Sequence, residues 1–295
     1  MPVVFAVKMR QSPVREQLRP LEIKGIAFMK ADRFRRTRRQ LWNWIRSFLP
    51  LRTQKGAARF LPDAYLRGDG LEIGALADPL RIPPGARVQY VDRFSVEDLR
   101  KHYPTLKSIA MVPVDIVSDG ERLSGVDDES RDFVIARHFL EHCQDPIGTL
   151  KHLFRVLKPG GIVYFAVPDK RYTFDRDRPV TSLSHLFEDH RLGPEQSRRA
   201  HFEEYVRFME RPATEDLLQK QTDELMARDY SIHFHVWTQH EVLELLLALR
   251  TQIGFEIETF CKNRNENICV LRKDPSLIAE LPATDAKPRT SSRAA

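Results

Sequence analysis

The stretch Leu71-Glu72-Ile73-Gly74-Ala75-Leu76-Ala77-Asp78-Pro79 decides how the rest of the chain is read. A short apolar run enters a glycine, an acid stands two positions before it and a small residue follows, so a ligand can lie against the backbone of the turn. The spacing lacks the GxGxxG of a dinucleotide site, and Pro79 argues against a phosphate cradle. Outward from this stretch, apolar runs bounded by Gly, Pro and Asp alternate with helical spacing, which predicts a parallel sheet with crossover helices. Strands are expected over 71–74, 88–92, 111–115, 132–136 and 162–167, and helices over 96–102 and 146–157. Lys158-Pro159-Gly160-Gly161 reads as a helix stop followed by a tight turn. A polar, helix-rich stretch over about 170–237 interrupts the sheet, with helices over 195–209 and 215–226. The sheet pattern resumes with a helix over 239–249 and strands over 255–260 and 267–272, the last two close enough for an antiparallel hairpin. The expected fold class is α/β: a Rossmann-like doubly wound sheet of about seven strands, the last antiparallel, with a helical insertion after strand five.

Charge divides the 295 residues unevenly. Residues 1–60 hold 15 Lys and Arg against 3 Asp and Glu, a surplus of +12, and the remainder, with 32 against 38, carries −6. Within this basic head, Arg33, Arg35, Arg36, Arg38 and Arg39 run into an amphipathic helical pattern containing Trp42 and Trp44 and stopped by Pro50. Residues 33–49 thus suit peripheral contact with an anionic membrane; packing on the main domain and binding of a nucleic-acid backbone are the competing uses. No apolar run approaches the ~20 residues of a membrane span, and Val3–Val7 is too short for a secretory signal. Cytoplasmic residence is expected, at most peripheral at the inner membrane face. Cys143, Cys261 and Cys269 lack CxxC spacing, so free thiols are expected rather than disulfides or a four-thiolate zinc site. The domain division is a basic extension over 1–60, a main domain over 61–273 and a disordered tail over 274–295.

The main domain places acids at successive strand ends. Glu72 lies beside Gly74 and Ala75; Asp92, followed by Arg93, closes the second strand 20 residues later, where an acid can accept from both ribose hydroxyls. Asp115, with Ile116 beside it, is expected to close the third strand and accept from an exocyclic adenine amine. Three acids at carboxyl ends point at one crevice.

These motifs, together with Asp132-Phe-Val-Ile-Ala-Arg-His-Phe-Leu-Glu141-His142, Val156-Leu-Lys-Pro-Gly-Gly161 and Val167-Pro168-Asp169, resemble class I S-adenosylmethionine-dependent methyltransferases over residues 69–169 and the last two strands. The resemblance implies S-adenosyl-L-methionine as cofactor. It implies Glu72, Gly74 and Ala75 near the methionine end, Asp92 and Arg93 at the ribose, Asp115 and Ile116 at the adenine, and Arg137 and His138 on the sulfonium side. Leu76 and Asp78 stand where the family has its second and third glycines. The run from Asp169 to Thr181 and the late His233-Phe-His-Val-Trp-Thr238 resemble a bacterial subgroup associated with surface polysaccharide or glycolipid assembly.

Methyl transfer asks mainly for proximity and alignment, with a base where the acceptor is a hydroxyl. His142 and His235 are the candidate bases. Lys170, Arg171, Tyr172, Arg176 and Arg178 follow strand five at the lip of the crevice and suit a phosphate or carboxylate on the acceptor, with His233 and Trp237 returning to the same place. His233 and His235 could also be half of a metal site with His185 and Asp189, four apart on one helical face. Structural histidines outweigh that reading, and no metal ligand is assigned from the sequence. The expected function is methylation, at oxygen, of a small-molecule, sugar or glycolipid acceptor. The alternatives are a non-catalytic methyltransferase-fold module of a membrane-associated assembly complex and a nucleic-acid methyltransferase; Arg137-His138 occupies the place of the latter's usual motifs.

Overall fold

Glu72 and its neighbours enter a seven-stranded sheet in the computed structural model, which describes residues 57–103 and 106–278. The strands are β1 (Asp69–Ile73), β2 (Arg87–Asp92), β3 (Ile116–Val117), β4 (Arg131–Arg137), β5 (Leu157–Pro168), β6 (Phe255–Asn263) and β7 (Glu266–Lys273). Their order is β3-β2-β1-β4-β5-β7-β6; β7 is antiparallel to both neighbours and the remaining pairs are parallel. Order reverses between β1 and β4, so the crevice outside their carboxyl ends is where such a sheet binds ligands.

Period-two alternation sorts side chains onto two layers. On one face Leu71, Ile73, Val134, Val163, Phe165 and Leu271 pack against α3 (Pro146–Arg155) and α7 (Gln239–Ile253), through Ile147, Leu150, Leu153, Leu245, Leu246 and Leu249. On the other, Phe133, Ile135, Tyr164 and Val270 meet Leu66, Leu80 and α1 (Ala57–Tyr65). Gly70 permits this second layer, because a Cβ there would fall 2.2 Å from the Phe133 ring. Local chemistry sets the helix starts. Ser95 accepts from Asp98 N to open α2 (Val96–His102), Asp145 accepts from Gly148 N to open α3, and Thr238 and Glu241 form a capping box on α7.

The interruption after β5 is helical: α4 (Leu183–Leu192), α5 (Glu195–Met209) and α6 (Glu215–Ala227), preceded by short 3-10 turns. It has a small core of its own in Phe202, Ile232 and Phe234. Its return segment is tied to the carboxyl end of β5, where Asp169 forms an isolated bridge with Trp237 and Lys170 N donates to Trp237 O.

Three expectations change. The third strand is Ile116–Val117, not 111–115, since Pro113 cannot donate to a ladder and the Asp115 carboxylate, instead of a backbone carbonyl, accepts from Tyr90 N. Helix α3 stops at Arg155, and residues 158–161 are an excursion inside β5: Leu157 pairs with Arg131 and Ile162 already with Phe133. At the other end, Asp274 caps a turn over Pro275–Leu277, so the first residues of the expected loose tail are ordered. The basic head with Trp42 and Trp44, and residues 279–295, lie outside the described residues. No helix among the described residues is long and apolar enough to cross a membrane.

Candidate active site

At the switch point the chain leaves β1 through Gly74, whose φ is +64° and whose missing Cβ faces open space. A flat ligand can approach the backbone there. Leu76 has a φ of +48°, so the turn follows the left-handed path of a glycine-rich loop with a leucine in it. Glu72 is buried, and both its carboxylate oxygens accept from Leu80 N, at 2.9 and 3.1 Å. Burial pushes its carboxyl up to about 7. Glu72 therefore fastens the loop that returns past Asp78, and Asp78 in turn receives the Arg137 guanidinium from the end of β4, at 3.1 Å to its carbonyl and 3.3 Å to Oδ2. Ala75 is buried beneath the same turn.

Asp92 ends β2 with a carboxyl that burial raises to about 6, against the hydrogen bonds it takes from the Phe94 and Arg93 amides. A carboxylate has room for further donors, which suits vicinal hydroxyls. The Arg93 side chain turns away from that position, to Asp229 at 2.9 Å and Tyr103 Oη at 2.8 Å. Asp115 is likewise misplaced as an adenine acceptor: it precedes β3 and is engaged by Tyr90 N. The acid at the carboxyl end of β3 is Asp119, exposed and two residues past Val117, with Gly120 packed so closely on Ile73 and Phe139 that a Cβ would clash. Ending strand three at Val117 instead of Asp115 places Asp119 just beyond it. Ile116 packs against the main core under the same edge.

After β4 the backbone is left-handed at His138, φ +49°. Its Nε2 lies 2.9 Å from Glu266 Oε2 and its Nδ1 3.6 Å from Glu141 Oε1. Burial alone would lower its pKa, yet the two carboxylates hold the imidazole up at about 9. His138 is thus an imidazolium shared by two carboxylates, a trio of net charge −1 at the edge where the sulfonium is expected. Glu266, at the start of β7, came from a hairpin far along the chain with no local signal.

On the acceptor side the expected residues separate. His142 is half-buried, with Nδ1 2.8 Å from Ile232 O and 3.0 Å from Ser231 Oγ; burial and the neighbouring His233 lower it to about 4. His235 is fully buried and burial holds it neutral, so it belongs to the interior rather than to the base position. Trp237, 1% exposed, stacks on His235 and offers no platform. Arg178 is equally buried, held by Asp175, Glu204 and His233 O, and cannot fork onto an acceptor. His233 pairs with Asp175 at 2.7 Å, and against the cost of burial these partners keep Asp175 at about 2. The exposed part of the basic run is Arg171, Tyr172 and Arg176, with Lys170 half-buried and bonded to Arg176 O. Arg171 grips Asp169 through two nitrogens, and Lys262 from β6, which sequence reading missed, sits 3.6 Å above the Tyr172 ring.

A family model described as a methyltransferase domain matches residues 46–259, more than two thirds of the chain. No curated protein sequence matches. Among solved structures, the chain is similar to a SAM-dependent methyltransferase from Aquifex aeolicus (13% identity, TM-score 0.43), covering 80% of this chain and 97% of that one. It is similar to others from Thermotoga maritima (16%, TM-score 0.38, 74% and 87%) and Methanosarcina mazei (19%, TM-score 0.37, 72% and 96%). With bare backbone at Gly74 beside the switch point and acids at Asp92 and Asp119 at the carboxyl ends of β2 and β3, the residues present fit an adenosyl cofactor. The chain belongs to the methyltransferase-domain family, as an enzyme of the class I type whose cofactor is S-adenosylmethionine.

Proposed function

We propose that the enzyme methylates a hydroxyl of a sugar or glycolipid acceptor that carries a phosphate or carboxylate. The observation that carries this reading is the exposed cationic lip directly after β5, where Arg171 and Lys262 flank the Tyr172 ring. Guanidinium and ammonium groups around an aromatic face suit an anionic sugar, the ring packing on the carbohydrate while the cations meet its charge.

When bound, S-adenosylmethionine supplies an electrophilic methyl whose C–S bond breaks, the electron pair returning to sulfur, as the acceptor oxygen bonds the carbon. Gly74, Asp92 and Asp119 would hold the adenosine, and Glu72 and the Arg137–Asp78 pair would keep the loop after β1 in place. The net −1 of the His138, Glu141 and Glu266 trio suits the neighbourhood of a sulfonium. With Nδ1 2.8 Å from Ile232 O, His142 has its Nε2 lone pair free toward the hydroxyl proton; lowered to about 4, it is neutral but a weak base, so alignment carries most of the step.

The test is a methyl-transfer screen against nucleotide-linked and lipid-linked sugars, with and without the anionic group. Arg171→Ala is expected to raise KM for the charged acceptor at least tenfold, about 1.4 kcal/mol, with cofactor affinity unchanged. Equal use of charged and uncharged acceptors refutes the reading.

A further inference from the structure

Behind the segment that follows β4, the insertion brings four side chains to one point. His185 and Asp189 lie one turn apart on α4, His201 faces them from α5, and His235 comes from the segment that returns to the sheet. His185 Nε2 is 3.1 Å from His201 Nε2 and 3.2 Å from Asp189 Oδ2, and His201 Nε2 is 3.5 Å from the same oxygen. A tetrahedral zinc ion with ligands at ~2.0–2.1 Å separates them by about 3.3 Å, so this triangle already has the dimensions of one face of such a shell. The ligand atom of His235 lies within 4.8 Å of the other three, close enough for a small ring adjustment to complete it.

The electron-pair count says the same. Asp189 Oδ2 is buried and accepts no hydrogen bond, and His235 Nδ1 is buried with no partner, in side chains 4% and 0% exposed. His235 Nε2 faces Gln144 O at 3.4 Å, and donation there leaves the lone pair on Nδ1, as metal-bound histidines are held by a carbonyl on their other nitrogen. Two imidazole nitrogens in direct contact beside an unbonded carboxylate oxygen are poorly satisfied by hydrogen bonds alone; a divalent cation satisfies all of them at once. Three neutral imidazoles and one carboxylate carry −1, which such an ion turns to +1. A cavity of about 290 Å³, lined by Ser182, His185, His201 and Glu204, opens onto the cluster and supplies an entry path.

We propose that His185, Asp189, His201 and His235 bind a tetrahedral divalent transition-metal ion of the zinc class, which cross-links α4, α5 and the return segment of the insertion. His233, which the sequence offered beside His235 only as an outweighed alternative, is bonded to Asp175 and takes no part. The site recruits His201, for which the sequence shows no ligand spacing. Its four protein ligands close the shell, so the ion is structural, holding the helical insertion against the segment 141–144 that receives His235 and Phe234 amides at Glu141 O.

The test uses the full-length protein, stripped with chelator and titrated with Co²⁺ and then Zn²⁺. About one equivalent of Zn²⁺ should bind per chain and displace Co²⁺ whose visible bands have tetrahedral intensity. Asp189→Asn and His201→Gln should each weaken Zn²⁺ binding at least ~100-fold, since even outer partners are worth 10–100-fold. The wild-type stoichiometry and cobalt spectrum stand by themselves if a variant fails to fold. His190→Gln, next to Asp189 but bonded to Asp145, should keep the full equivalent. Absence of stoichiometric Zn²⁺ in the wild type or an octahedral cobalt spectrum overturns the proposal. So does loss of the ion in His142→Gln with retention in His201→Gln, which would place it on the neighbouring Glu141, His142 and His233.

Discussion

Replacing His138 by Gln removes the cation shared by Glu141 and Glu266, and the structure sets both the size and the pH window of the effect. The imidazole is held at about 9 against an ordinary 6.5. A group whose folded pKa is raised contributes its stability fully below the unfolded value and loses it as pH rises through the folded one. At 1.36 kcal/mol per pH unit the whole contribution is roughly 3 kcal/mol, present near pH 6 and gone above about pH 9. Roughly 2 kcal/mol of it disappears between about pH 7 and 8.5. The raised carboxyls of Glu72 and Glu121, at about 7, and of Asp92, at about 6, have lost most of their contributions by its start and are common to wild type and variant. The buried thiols Cys143 and Cys269, pushed well above 9, begin to matter at its end. Urea unfolding of wild type and His138→Gln at successive pH values reads the difference directly. The wild type should be more stable by roughly 3 kcal/mol at pH 6 and converge on the variant as pH approaches 9. Parallel curves between pH 7 and 8.5 would refute the charged trio and with it the electrostatic reading of the site.

Asp92→Ala should weaken S-adenosylmethionine binding by about 1.5 to 3 kcal/mol, measured by calorimetry, because charge-assisted hydrogen bonds to the ribose are lost. Asp119→Asn should weaken it too, whereas Asp115→Asn, which alters only the acceptor for Tyr90 N, should leave cofactor affinity near wild type; the reverse ranking would restore Asp115 to the adenine site. The basic head predicts co-sedimentation with anionic vesicles at low salt that disappears at high salt and on deletion of residues 1–50, with cofactor binding retained. Full-length protein that ignores anionic vesicles at low salt sinks the membrane reading.

What the sequence disclosed follows the range of the forces involved. Helices α2 and α5 have the expected bounds, because Ser95 supplies a cap and Pro194-Glu195 a start within a few residues. The acids at the ends of β1 and β2 were legible for the same reason: strand, turn and acid are contiguous. Strand three was misplaced because an apolar stretch cannot report that Pro113 is excluded from the ladder and that Asp115 spends its carboxylate on Tyr90. The basic run shows the limit most clearly. Arg171 and Arg178 look alike in sequence, yet one is exposed at the lip and the other is sealed among Asp175, Glu204 and a carbonyl 55 residues away. His201 and His235 meet His185 across separations that no periodicity encodes.

Leu76 carries this further. A leucine at φ +48° sits in a region that costs a non-glycine residue about 1–3 kcal/mol, so its own propensity does not choose the turn. The surroundings impose it: Leu76 O accepts from Val112 N, the Glu72 carboxylate holds Leu80 N, and Arg137 holds Asp78 from the far side of the switch point. The glycines usual at this loop make the same backbone path cheap; here tertiary hydrogen bonds hold it instead. Absence of a glycine fingerprint therefore says little about absence of the site, and the residues that compensate, Glu72, Asp78 and Arg137, are the ones whose buried partners mark where the cofactor loop is braced.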